Sequence, residues 1–204
     1  GFEGENFICV KIFGGHDFGT HNPCASKTIK KDKDANYWVT DEWYATGKTD
    51  AEQADYVAAL NWNECYPDPE SLSGTLEMKK RGVNVREVIR NKDSISNGIN
   101  AVTELFKQHR LFISNNCRNL IWELETYCYP EKKSNHNEEE NPIPENDHAV
   151  SALRYALSME AKMAKPTVHI YRPKIISITK RTENNYQKQY KINQPKSGFA
   201  KYYH

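Results

Sequence analysis

Asp17, Asp68 and Asp147 are the acids whose surroundings could put them to chemical use. Asp17 lies in Gly14-Gly15-His16-Asp17-Phe18-Gly19, just past an apolar stretch. A strand-end acid between glycines suits a metal ligand, and it also suits a turn aspartate. Asp68 lies in Tyr66-Pro67-Asp68-Pro69-Glu70, where it either binds a cation or caps the helix that Pro69 opens. Asp147 opens an apolar-periodic run beside His148, again as a ligand or as a helix cap, with His148 a partner or a surface histidine. Together they match one demanding chemistry. Phosphodiester hydrolysis with two Mg²⁺ or Mn²⁺ ions needs several carboxylates that converge to hold the ions roughly 3.5–4 Å apart. A nucleotide-binding loop is excluded. Gly47-Lys48-Thr49 ends like one, but position 42 is Glu42 rather than glycine, and Thr49 with Glu52 has the form of a capping box. Lys92 and Ser94 precede a helix start and could grip phosphate, while Ser94 could equally be the cap of that helix.

The elements that must position these residues can be read from periodicity. Phe7 to Phe13 is apolar and β-branched and predicts a strand ended by Gly14-Gly15. Cys24 to Ile29 and Tyr37 to Trp43 predict a hairpin around a polar turn. A helix follows Thr49, with Ala51, Ala54, Val57 and Ala58 on one face. Leu60 to Tyr66 reads as a strand, Pro69 to Arg81 as a helix stopped at Gly82, and Val83 to Ile89 as a further strand. Ile95, Ile99, Val102 and Leu105 mark a helix from about Ser94. Leu111 to Ser114 is a short strand, and Leu120, Ile121, Leu124 and Tyr127 mark another helix. Glu131 to Asn146 is an acidic loop. Asp147 to Ala164 is helical on the stripe Val150, Leu153 and Leu157, and Thr167 to Thr179 suggests a late hairpin before an aperiodic tail. Strands first, then alternating helices and strands, describe an α/β fold, a mixed β-sheet flanked by helices.

Composition bounds the class. The 204 residues include 23 aromatics (Trp 4, Tyr 12, Phe 7), too many for a wholly disordered chain, and no apolar run approaches the roughly 18 residues of a membrane span. The N-terminal Gly-Phe-Glu-Gly-Glu-Asn lacks the basic and apolar regions of a signal peptide. The five cysteines form no Cys-x-x-Cys pair, and their odd number argues against a disulfide framework or a zinc ribbon, leaving reduced, mostly buried thiols. The net charge of +1 hides an asymmetry. Residues 165–204 hold nine basic residues and one acid, so the first 164 carry −7. Near-neutrality therefore says nothing against a nucleic-acid partner.

The run Asp147-His148-Ala149-Val150-Ser151-Ala152-Leu153-Arg154-Tyr155 resembles the closing motif of the large terminase subunit of tailed bacteriophages or prophages. His16-Asp17-Phe18-Gly19 with Asn22-Pro23 is similar to that family's first acidic motif, and Tyr66-Pro67-Asp68-Pro69-Glu70 to its second. Asn91-Lys92-Asp93-Ser94-Ile95 and Glu123-Leu124-Glu125-Thr126-Tyr127 fit the same order. The likeness runs from about Phe7 to Ala164 and corresponds only to the C-terminal nuclease half of such a subunit. It implies a ribonuclease H-like nuclease domain over residues 1–164, followed by a basic hairpin and tail over 165–204. It implies a metal-dependent endonuclease that cuts concatemeric double-stranded DNA during packaging with Mg²⁺ or Mn²⁺, two ions being expected. Asp17 and Asp68 match the family's first two metal-binding acids, and His148 matches a histidine near the metals. With Asp147 taken as a further ligand, these four form the expected catalytic group; Lys92 and Ser94, from their place before a helix start, are expected to contact DNA. The implied partners are double-stranded DNA, the terminase ATPase domain, the small terminase subunit and the portal protein, in the host bacterial cytoplasm and transiently at the procapsid portal, with no membrane.

One position departs from the family. Its third acid falls three residues after the histidine, where this chain has Ser151. Either Asp147 supplies that carboxylate from a shifted position, or DNA phosphate completes the second metal's shell, or the serine is an inactivating change. The first two are favoured jointly over the third. The last leads to an alternative from another class: a weakly active or inactive nuclease-fold module that binds DNA or the portal ring. A junction resolvase or integrase would share the chemistry, but the Asp147-to-Tyr155 run argues against it.

Overall fold

The computed structural model describes residues 7–89, 91–130, 142–143 and 145–163. Within them, five strands and five helices form a mixed sheet covered on both faces. The strands are β1 (Cys9–Asp17), β2 (Cys24–Asp32), β3 (Tyr37–Ala45), β4 (Glu64–Pro67) and β5 (Leu111–Ile113), and their order across the sheet is β4-β1-β2-β3-β5. β1, β2 and β3 run antiparallel, whereas β4 lies parallel to β1 and β5 parallel to β3. The helices are α1 (Asp50–Ala59), α2 (Leu72–Lys80), α3 (Ser94–Lys107), α4 (Arg118–Thr126) and α5 (His148–Met163).

Alternation along each strand sorts side chains between two cores. On one face Phe13, Ala25, Ile29, Tyr37, Val39 and Tyr66 pack against α3, α4 and α5. On the other, Cys65 and Trp62 pack with Ala54 and Val57 of α1 and Met78 of α2. Helix α5 is the central element of the first core. Its predicted stripe, Val150, Leu153 and Leu157 with Ala149, Ala152 and Ala156, is buried throughout. The small alanines let α5 lie close on β1: a Cβ placed at Gly15 would stand 1.8 Å from the Ala152 carbonyl oxygen.

Two expectations need correction. The Gly14-Gly15 pair does not end the first strand, which runs through both glycines to Asp17. They are there because neither face has room for a side chain, since the Trp62 ring lies 2.3 Å from where a Gly14 Cβ would be. Val83 to Ile89 is not a strand. Only an isolated bridge joins Val85 to Cys65, leaving β4 at the sheet edge. Elsewhere the reading is close. The Thr49–Glu52 capping box is formed on both sides, and α2 stops at Gly82, whose φ of 78° is the left-handed value glycine adopts freely. The second helix begins at Leu72 rather than Pro69, and Asp93, not Ser94, holds the cap position of α3. Most of the acidic loop, the late hairpin and the division at residue 165 lie outside the described residues. Cys24, Cys65 and Cys117 are buried free thiols, and Cys9 and Cys128 are exposed ones.

Candidate functional site

The period of two along β1 decides which way its last residues face. Phe13 and Gly15 meet α5, so Asp17 does too, while His16 turns to the α1 face. In β4, Tyr66 reaches Glu160 of α5, and two residues on Asp68 points to the same helix. Because β1 and β4 are parallel neighbours, their carboxyl ends lie side by side, and the Asp68 amide donates to the His16 carbonyl at 2.7 Å. The first turn of α5 closes the third side. The result is a cleft of about 910 Å³ whose walls include Asp17, Asp68, Asp147, His148, Ser151, Lys92 and Ser94. Every candidate site residue named from sequence therefore lines one cavity, at the strand carboxyl ends where α/β sheets accommodate ligands.

The geometry inside is specific. His148 Nδ1 donates to Asp17 Oδ2 at 2.9 Å. Burial pushes the Asp17 carboxyl above the usual range; the His148 bond opposes this, and the nearby Asp68 and Asp147 charges add to it. The same bond to Asp17 raises His148, burial opposing it and the charges of Asp17, Asp147 and Glu123 adding to it. Asp68 Oδ1 accepts the Glu70 amide at 2.9 Å and the Tyr155 hydroxyl at 3.4 Å. Among the described residues, no three His, Cys, Asp or Glu side chains are already drawn together as a metal cage.

Ser151 is buried and engaged. Its hydroxyl accepts from Arg154 Nη2 at 2.9 Å and donates to Asp147 Oδ2 at 3.3 Å. The guanidinium of Arg154, itself buried, thus reaches Asp147 through the serine. Arg154 and Tyr155 were not assigned roles from sequence. Their signal is helical spacing, because positions 147, 151, 154, 155 and 158 form one stripe along α5 and all line the cleft. Lys92 and Ser94 sit at the start of α3 and line the same cleft, with the Ser94 hydroxyl turned back to the Asn91 carbonyl at 2.8 Å.

On the other face His16 is wholly buried and neutral. Its Nδ1 meets the Ser26 hydroxyl at 2.7 Å and its Nε2 meets Gln53 Oε1 at 3.1 Å. Gln53 spends its amide on the Gly19 and Lys48 carbonyls, both at 2.8 Å, so its oxygen accepts and the proton of His16 lies on Nε2. This network ties α1 to the loop after Asp17.

A family model described as a terminase RNaseH-like domain matches residues 14–160, a span that includes Asp17, Asp68, Asp147 and His148. No curated protein matches the chain in sequence. Among solved structures, the large terminase of a thermophilic bacteriophage superposes with a TM-score of 0.66 at 18% identity, over 78% of this chain and 43% of that one. The P22 large terminase nuclease domain gives 0.61 at 18% identity, over 78% and 85%. The large terminase nuclease from a second thermophilic phage, G20c, with bound cobalt or with bound magnesium, gives 0.60 at 17% identity, over 78% and 89%. The chain thus spans less than half of the first of these large terminases and most of the two isolated nuclease domains.

Proposed function

Because the chain belongs to the family of terminase RNase H-like domains, we propose that it is the endonuclease part of a phage or prophage DNA-packaging machine, cutting concatemeric double-stranded DNA with the help of divalent cations. The observation that carries this reading is the convergence of Asp17, Asp68 and Asp147, with His148 bonded to Asp17, in one cleft at the sheet's carboxyl edge. The like charges of Asp68 and Asp147 acting on Asp17 are the kind of strain that a bound cation relieves. The donors are hard oxygens. An open site with few carboxylates suits Mg²⁺ or Mn²⁺, which keep several waters and take the rest of their shell from substrate phosphate. That G20c nuclease structures hold cobalt and magnesium supports the same class of ion.

Asp17, Asp68 and Asp147 would hold the metal, one ion or two, whose chemistry when bound is to activate water and to stabilise the departing oxygen. His148 fixes the Asp17 carboxylate through Nδ1 and, when protonated, can give a proton to a leaving oxygen near it. Tyr155 steadies Asp68. Lys92 and Ser94, which line the same cleft, suit contact with phosphates, which position a duplex without reading its sequence. Association with a terminase ATPase domain, with a small subunit and with a portal, in the bacterial cytoplasm, follows from the same reading. Among the described residues no helix is long and apolar enough to cross a membrane.

One observation favours a second reading. Ser151 stands where the family places an acid, and its hydroxyl is already committed to Arg154 and Asp147. A site short of one carboxylate could bind DNA or the portal ring while cutting poorly. Nicking of supercoiled plasmid with Mn²⁺ separates the two. On the nuclease reading, wild type cuts and Asp17→Ala loses at least about a hundredfold, the scale of removing a central electrostatic group. An inert wild type restored by Ser151→Asp would establish the binding module. Equal cutting by wild type and Asp17→Ala would refute the site.

A further inference from the structure

The face of the sheet that carries Asp17 also carries a second polar group, outside the cleft. A bulge shifts the register of β3 between the pairs Ile29–Val39 and Thr28–Asp41, leaving Thr40 as the extra residue. Without it, Glu42 and Tyr44 would share a face with Trp38, away from Tyr37 and Val39; with it they turn to α4 and α5. There Glu42 accepts the Asn119 and Leu120 amides at 2.8 and 3.1 Å, closing the start of α4, and pairs with the fully buried Lys27 at 3.1 Å. One turn further along α4, Glu123 repeats the device. It is wholly buried, and its Oε2 accepts the Val150 amide at 2.9 Å, within the first turn of α5. Tyr44 stands between the two centres, beside the Glu123 carboxylate and with its ring 6.5 Å from that of His148.

We propose that Glu123 is a positioning residue of the nuclease site, holding the first turn of α5 so that His148 meets Asp17; its catalytic consequence rests on the nuclease reading above. The first amides of a helix have no partner within the helix, and a carboxylate there both satisfies one and favours the positive end of the helix dipole. Burying a carboxylate is costly unless it is bonded. A leucine at 123, beside Leu120 and Leu124, would fill the space without that cost, so packing alone does not account for the acid. Val150 lies two residues from His148. A rigid Val150 amide therefore sets where the imidazole leaves the helix, and Glu123 is absent from the walls of the cleft, so it touches no reacting group and acts by holding α5, its charge also adding to the rise of His148.

Glu123→Gln keeps the shape and one acceptor oxygen, whereas Glu123→Ala removes the acceptor. Amide hydrogen exchange at Val150 and Mn²⁺-dependent plasmid nicking are measured for both variants and wild type. The expected result is that Glu123→Ala loses Val150 protection and about 10- to 100-fold in kcat, the usual effect of removing an outer partner, with KM for DNA unchanged. Glu123→Gln keeps both within about threefold, far smaller than that loss. Should Glu123→Ala fail to fold, Glu123→Asp, one methylene short of Val150, is expected to behave as Glu123→Ala. Val150 protection unchanged by removing the acceptor, kcat unchanged, a parallel change in KM, or no recovery in Glu123→Gln would each overturn the proposal. If wild type does not cut, the nuclease reading fails, and the exchange data alone decide whether Glu123 holds α5.

Discussion

His16 and Asp17 are adjacent in the chain and serve opposite faces of the sheet. Asp17 enters the cleft and meets His148, while His16 is sealed among Ser26, Gln53 and the Phe18 and Trp43 rings. Burial first, with the Lys27 charge adding to it, and only the Gln53 bond opposing, lowers His16 to about 3. The sign of the consequence follows. Between about pH 6.5 and 3 the unfolded chain binds a proton at His16 that the folded chain refuses, so stability rises with pH across that window, by about 1.4 kcal/mol per unit at the steepest. His16→Gln cannot titrate. Its stability, measured by denaturant unfolding from pH 3.5 to 7, is expected to fall less steeply with acid than wild type by about one proton's slope. An identical slope would show that His16 is not held neutral. The candidate acids that line the cleft were legible as residues because each sits at a strand end or a helix start, positions marked by glycine, proline and the onset of periodicity. Glu123 and Tyr155 were not. A glutamate on a helix otherwise reads as a solvated face, and only the packing of α4 on α5 makes it a buried cap.

At the scale of elements, the site depends on how closely α5 lies on β1. Gly15 faces the Ala152 carbonyl and Gly14 faces Trp62, so the two glycines guard opposite faces. Gly15→Ala must lift α5 by its backbone, at a cost of about 1–3 kcal/mol. It must also separate His148 from Asp17. Gly14→Ala presses on the Trp62 ring and leaves α5 in place. Denaturant unfolding and calorimetric Mn²⁺ titration of the two variants test this: both should lose stability, and only Gly15→Ala should weaken metal binding. Equal Mn²⁺ affinity in Gly15→Ala and wild type would mean that α5 contributes no ligand. Periodicity exposed α5 and its stripe because six apolar and small residues repeat at helical spacing. The run from Val83 to Ile89 misled because alternation also occurs in a segment that only flanks β4, where a single bridge forms. The glycine pair misled for a related reason. Glycine breaks strands by local preference, yet here tertiary packing requires its lack of a side chain.

At the scale of the whole molecule, an RNase H-like sheet brings together acids 51 and 79 residues apart in the chain, and no local pattern reports that distance. The resemblance over several collinear motifs did, and the family model over residues 14–160 agrees with it. The chain matches 43% of the length of a large terminase from a thermophilic phage. On the proposed reading, what the domain does by itself is bind a divalent cation in the cleft that Asp17, Asp68 and Asp147 line. The most direct measurement is a crystal of the protein soaked in Mn²⁺, with the ion located by its anomalous signal. The account predicts a peak bonded to the Asp17 carboxylate and shared with Asp68 or Asp147, lost in Asp17→Ala. Manganese bound elsewhere on the molecule, with the cleft between β1, β4 and α5 holding none, would contradict it.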